Sequence, residues 1–245
     1  MNDTMDRVAI VTGGSRGIGR ETAARLAADG QAVVIAYAGN DAEAKNAVEE
    51  IVAAGGDAIA VKADVADDVA VAALFDTAEK EFGGVDVVVN AAGIMILGTV
   101  VDFDLADLDR MHRTNIRGTF VINQQAARRV HRGGAIINFS SSVTQLAPPT
   151  YAPYAASKGA VDAISLVLAK ELQGRDITVN AVAPGPTATA LFLDGKDEET
   201  IDRIAKMNPL ERLGSPADIA EVVSFLAGPG RWINGQTVYA NGGVV

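Results

Sequence analysis

A hydroxyl, a phenol and an ammonium lie close together within residues 141–158: Ser141, Tyr154 and Lys158. Tyr154 and Lys158 are four positions apart, which on a helix stacks them one turn above the other on a single face. A phenol with its ordinary pKa of about 10 is a weak base near neutrality. A neighbouring ammonium favours the phenolate, so the spacing predicts that Lys158 lowers the pKa of Tyr154. Ser141 closes an apolar run upstream, and its hydroxyl is suited to a hydrogen bond with a carbonyl oxygen. Together the three are the parts of a device that moves a proton on or off a C=O or CH–OH group. An exposed Tyr and Lys on an amphipathic helix share the same spacing, so the surrounding elements must decide. Tyr151 is a competing phenol, but the residue four positions on is Ala155 rather than a lysine. Ser140 and Ser142 compete with Ser141 and could simply satisfy backbone groups at a strand end.

The elements that must hold these groups alternate in type along the chain. Strand-like apolar runs occupy 8–12, 32–37, 58–63, 85–90, 135–140, 178–183 and 237–240. Helical patterns occupy 18–28, 41–54, 67–82, 105–130, 153–173 and 216–226. Repeated strand–helix–strand units predict an α/β fold: one doubly wound parallel sheet of seven strands with helices on both faces. The 245 residues suffice for one such domain, and no linker, repeat or low-complexity tract divides them. The chain is 49% hydrophobic but only 5% aromatic, so its apolar mass is mainly Ala, Val, Ile and Leu, as buried parallel strands require. Residues 184–209 break the rhythm, running from Pro-Gly-Pro through a polar stretch to Asn-Pro. A substrate lid around 187–207 is expected there.

Charge and composition exclude several classes. A formal net charge of −10 argues against general binding to nucleic acid or anionic membranes. With no cysteine there is no disulfide, thiol nucleophile or thiolate metal site. His112 and His131 are too few and too far apart to suggest a metal centre. The first residues lack an apolar signal-like run, and nowhere are eighteen apolar residues consecutive, so a cytoplasmic protein is expected.

The first strand runs into Thr12-Gly13-Gly14-Ser15-Arg16-Gly17-Ile18-Gly19 and then a helix. Glycines in that context permit a tight turn and a close approach to a pyrophosphate resting at the helix N-terminus. In NAD binders a carboxylate closing the second strand holds the ribose 2′-hydroxyl. Here that place is Ala36-Tyr37-Ala38. Arg16 is positioned to pair with a 2′-phosphate that a carboxylate would repel, so NADP(H) is expected over NAD(H). Asn40 is a second candidate contact, or equally a helix cap.

These motifs, with Asp64-Val65, Asn90-Ala91-Ala92-Gly93, Asn115, Tyr154-Ala155-Ala156-Ser157-Lys158 and Pro184-Gly185, occur in order along the whole chain. In this the chain resembles the compact subgroup of the short-chain dehydrogenase/reductases. The resemblance implies a Rossmann fold and a division of labour. Tyr154 would be the general acid in reduction and the base in oxidation. Lys158 would tune it and hold the nicotinamide ribose, and Ser141, selected by the family spacing, would polarise the carbonyl. Asn115 would sit at a helix irregularity and hold a water linking Lys158 to solvent. Gly13, Ser15, Arg16, Gly17, Ile18, Gly19, Tyr37, Asn40, Asp64, Val65, Asn90, Ala91, Gly93, Pro184, Gly185 and Thr187 would line the cofactor. Two departures stand out: Ala91 where relatives often carry a second Asn, and Asn241-Gly242-Gly243 where Asp-Gly-Gly is common. The second lies in a region that packs between subunits in relatives.

Ile94, Met95, Val143, Gln145, Tyr151, Leu191 and Phe192 are the expected substrate wall, mostly apolar, for a ketone or aldehyde with a hydrophobic body. The resemblance extends to 3-oxoacyl-thioester reductases and carbonyl reductases. Arg128, Arg129, Arg132 and Arg175 could therefore dock an acidic acyl-carrier protein, or merely complement helix ends. A homotetramer or dimer is expected from the resemblance. A nucleotide-sensing regulator without turnover is the contrasting reading, and an intact Ser141, Tyr154, Lys158 and Asn115 set argues against it.

Overall fold

The computed structural model describes residues 7–245. The expectation about a leader-like run falls on residues 1–6, outside the described part. Seven parallel strands form one sheet in the order β3-β2-β1-β4-β5-β6-β7. They are β1 (Val8–Thr12), β2 (Ala32–Tyr37), β3 (Ala58–Lys62), β4 (Val87–Asn90), β5 (Ala135–Phe139), β6 (Thr178–Pro184) and β7 (Thr237–Ala240). Strand alternation divides the core in two. Ile10, Val34, Val88, Ile136 and Val179 face one layer; Ala9, Val11, Val33, Ile35, Val87, Val89 and Ile137 face the other. The first layer is α3 (Asp68–Phe82), α5 (Gly118–Arg129) and α7 (Ala152–Glu171); the second is α1 (Gly17–Ala28), α2 (Asp41–Ala53) and α10 (Pro216–Ala227). This is the expected Rossmann fold, wound from β1 outward in both directions. The β1–β4 junction is where the winding reverses, and crevices form there at the C-terminal strand ends.

Sequence periodicity left three details unresolved. The helical pattern 105–130 is not one helix. It comprises α4 (Leu105–His112), a wide π-helical turn at Arg113–Arg117, and then α5. A short α6 (Val143–Leu146) follows β5. The irregular 187–207 segment is mostly helical, as α8 (Ala190–Leu193) and α9 (Glu198–Met207). Helix starts carry side-chain caps from Asn40, Asp67, Asp104, Asp197 and Ser215. No helix among the described residues is long and apolar enough to cross a membrane.

Candidate active site

A cleft of about 1060 Å³ runs along the C-terminal ends of the strands, from the Gly13–Gly19 turn to α9. At one end, α1 begins without a capping side chain and with no acidic residue in its first turn, unlike the capped helices. Its leading N–H groups are therefore open to an anion. Gly19 makes the turn possible, because a Cβ there would stand only 2.3 Å from the carbonyl oxygen of Gly13. Gly13, Ser15, Arg16, Gly17 and Ile18 join it on the wall. Open helix donors, a turn too tight for side chains and a long cleft fit a pyrophosphate-bridged dinucleotide.

Tyr37, Asn40, Asp64, Val65, Ala91, Gly93, Pro184, Gly185 and Thr187 continue the same wall. Ala91 faces the cleft, so the first departure removes a side-chain bond but not a surface. Asn40 is a helix cap, its Oδ1 accepting from the amides of Ala42 and Glu43 at 3.1 and 3.2 Å, and it also borders the cleft. Arg16 is exposed on this wall, and Glu43, in the first turn of α2, lines the cleft too. Asn90 does not line the cleft. It is buried behind it, accepting from the Thr12 hydroxyl at 2.8 Å, while Thr12 accepts from Ala92 N–H at 3.1 Å. Asn90 thus braces the turn after β4.

At the far end, α7 brings Tyr154 and Lys158 to the cleft with Ser141 opposite. All three serines border the cleft, but they differ in burial and pairing. The amides of Ser140 and Ser142 continue the pairing with β6, at 2.8 Å to Val182 O and 3.0 Å to Pro184 O. Both are buried, while Ser141 between them is only half-buried. Asn241, the second departure, is buried, donating to Ser142 Oγ at 3.2 Å and accepting from Asn208 at its backbone oxygen.

The electrostatics correct one expectation. Burial pushes the Tyr154 phenol up to about 12, with the nearby Ser141 hydroxyl pulling weakly the other way. Lys158 does not lower it. Its Nζ donates to Phe139 O at 2.7 Å and sits 5.6 Å from the centre of the Tyr154 ring. Desolvation of the phenolate outweighs an ammonium aimed elsewhere. Burial also pushes Lys158 down to about 8, opposed by Asp162 one turn further along α7. Thr237 donates to Asp162 at 3.1 Å.

Asn115 lies in the wide turn, the irregularity that was expected, but beneath the cleft wall rather than in it. Its Oδ1 accepts from Ile94 N–H at 2.9 Å, and its Nδ2 donates to Ile94 O at 2.9 Å and Ser157 Oγ at 3.0 Å. Ser157 in turn donates to Tyr154 O at 2.7 Å. The turn is also stitched to the β3–α3 connection: Arg113 donates to Asp64 at 2.7 Å, and Arg117 to Ala66 O at 2.9 Å. Against the upward pull of burial, bonds from Ala66 N–H and Arg113 hold Asp64 below the usual carboxylate range.

Ile94, Met95, Val143, Tyr151, Leu191 and Phe192 line the cleft beyond the catalytic groups. Gln145 does not; it is exposed on the outer side of α6, because a four-residue helix cannot turn every side chain inward. Sequence reasoning missed Pro148, Pro149, Arg203, Ile204, Met207 and Val244. The helical spacing of Arg203, Ile204 and Met207 was a usable signal; nothing in the sequence marked Val244. Of the four arginines considered for docking, Arg129 pairs with Glu79 at 2.6 Å and with Asp76. Arg132 and Arg175 donate to the carbonyls of Gly174 and Ala127, and both remain exposed, as does Arg128.

A family profile described as enoyl-(acyl carrier protein) reductase matches residues 13–245. A short-chain type dehydrogenase/reductase of Picea abies is 46% identical, the match covering 98% of this chain and 92% of that one. The chain belongs to the short-chain dehydrogenase/reductases. An NADPH-dependent aldehyde reductase-like protein, chloroplastic, of Arabidopsis thaliana is 43% identical over 98% of this chain and 94% of its own. Among solved structures, a short chain dehydrogenase from Burkholderia cenocepacia J2315 in complex with NADP superposes with a TM-score of 0.91 at 40% identity, covering 98% of each chain. As a short-chain dehydrogenase/reductase, the protein belongs to a family of oxidoreductases.

Proposed function

We propose that the chain is an NADP(H)-dependent reductase of ketones or aldehydes, with Tyr154 as the general acid. The observation that carries this reading is one continuous cleft joining the open N-terminus of α1 to Tyr154, Lys158 and Ser141. A reduced nicotinamide dinucleotide, when bound, supplies the hydride. Gly13 to Gly19 hold its pyrophosphate, and Asp64 and Val65 border its adenine. Lys158 holds the nicotinamide ribose. Ser141 orients the substrate oxygen, and Tyr154 gives that oxygen its proton. A phenol held near 12 is protonated at neutral pH, the form that can give a proton to the substrate oxygen in reduction. Helices α8 and α9 act as the lid, contributing Leu191, Phe192 and Met207 to an apolar substrate wall.

NADP(H) over NAD(H) is supported by Arg16 on the wall and by the absence of a carboxylate at the end of β2. Exposed Phe120 on α5 and Leu166 and Val167 on α7 support assembly into a homodimer or homotetramer, which sedimentation would test. The deciding assay is NADPH oxidation against a panel of ketones, aldehydes and 3-oxoacyl thioesters. Tyr154→Phe should cut turnover by about 10³-fold while NADPH binding persists. NADPH binding without turnover of any carbonyl by the native enzyme would point instead to a sensor.

A further inference from the structure

The loop between α6 and α7 is built in an unfavourable conformation. Ala147 and Thr150 both adopt left-handed backbone, with φ of 45° and 73°, although neither is glycine. For the β-branched Thr150 this is an outlier. Pro148 and Pro149 stand between them, and Thr150 O accepts from Gly98 N–H at 3.0 Å, fixing the loop from outside. Such strain persists only where the surroundings enforce it, and it collects at functional positions. The residue that this loop delivers is Tyr151.

Tyr151 precedes α7 directly, and its carbonyl already accepts from Ala155 N–H at 2.8 Å. It is thus helix-like and three positions from Tyr154, so the two phenols share a face and line the same cleft. Tyr151 is half-buried, and burial alone raises its pKa, with no hydrogen bond among the causes. The cleft that the two phenols line also takes Val143, Leu146, Pro149, Leu191 and Met207 into its wall, with the Ser141 hydroxyl beside Tyr154. No side chain hydrogen-bonds the Tyr151 phenol among the described residues, so it faces the cleft as a polar group open to a ligand.

We infer that Tyr151 is a second polar anchor, and that the preferred substrates carry another oxygen on the carbon next to the reacting carbonyl, as α-diketones and α-hydroxy ketones do. This rests on the carbonyl-reductase reading above. Ser141 and Tyr154 take the oxygen that is reduced, and the Tyr151 phenol donates to its neighbour. A simple ketone leaves that phenol unpaired in the closed site, a loss that discriminates between substrates.

The test uses a matched pair, 1-phenylpropane-1,2-dione and propiophenone, with NADPH. The ratio of their kcat/KM values cancels their common body. In Tyr151→Phe the ratio, dione over monoketone, should fall about tenfold, mainly through KM for the dione, as expected for one buried hydrogen bond. Thr150→Gly keeps the phenol but frees the loop, and should lower the same ratio part of the way. An unchanged ratio in Tyr151→Phe, or an equal loss on both ketones, overturns the assignment. Failure of the underlying reading has a different signature: the native enzyme would reduce neither ketone, or Tyr154→Phe would reduce both as fast as the native enzyme.

Discussion

Lys158 gives its hydrogen bond to the carbonyl oxygen of Phe139, at 2.7 Å, rather than to the phenol of Tyr154. The ammonium is therefore anchored to the end of β5, where it faces the cleft beside Tyr154. Its burial sets its pKa near 8, and Asp162 keeps it from falling further.

This gives a pH dependence with a defined sign. The cationic form of Lys158 is lost as pH rises through about 8 in the free enzyme, so kcat/KM for NADPH should fall above that pH. Asp162→Asn removes the charge that supports the ammonium, and the fall should move to lower pH. A profile of kcat/KM against pH for both proteins checks this. Stability carries the same signature. The folded value of about 8 lies below the ordinary 10.5, so the unfolded chain holds more protons between them. The Lys158 contribution to stability then rises with pH across that window, and Lys158→Met should flatten the rise in a denaturant series. Tyr154, at about 12 against an ordinary 10, acts in reverse above pH 10.

Gly93 keeps a gap between Asn115 and Lys158. A Cβ at Gly93 would stand 3.4 Å from Asn115 Oδ1 and 3.6 Å from Lys158 Nζ. Those are ordinary contact distances, so Gly93→Ala should fold with a Tm within a few degrees of native. The methyl occupies the space through which a water could join the acceptor to the ammonium. We expect kcat to fall about tenfold, in the range of a weakened proton transfer. An unchanged kcat would assign Gly93 to packing alone.

Arg113 links the β3–α3 connection to the turn that carries Asn115, through its ion pair with Asp64. Both partners are partly exposed, so the pair contributes at most about 1 kcal/mol. Arg113→Ala should raise KM for NADPH by up to about fivefold. In a double-mutant cycle with Asp64→Asn the two losses should not add. Additive losses would mean that the two side chains act separately.

Arg16 is one of the cations lining the cleft, with Arg113, Lys158 and Arg203, and it stands in the turn before α1. Arg16→Ala should lower kcat/KM for NADPH about tenfold or more and leave NADH within about twofold, as the loss of a charge-assisted bond to one phosphate predicts. Equal losses for both cofactors would place the role of Arg16 in shaping the turn before α1.

The amino-acid sequence by itself determined the order and number of strands, because period-two and period-3.6 patterns and separating glycines are local signals. It also picked out the glycine turn and the Tyr154–Lys158 pair, since their spacing is written along single elements. The tertiary structure decided what depends on surroundings. Whether the Tyr154 phenol moves down or up depends on its burial and on where Lys158 points, and neither can be read from a four-residue spacing. Asn115, Ile94 and Ser157 come from three separate segments, and only folding brings them within 3 Å. Asn90 and Gln145 looked like wall residues, yet packing turned one behind the cleft and the other outward. Ile204 and Val244 entered the wall from elements whose approach is fixed by long-range contacts such as Asn208 with Asn241. Local patterning specifies which groups exist; desolvation and long-range packing specify what each can do.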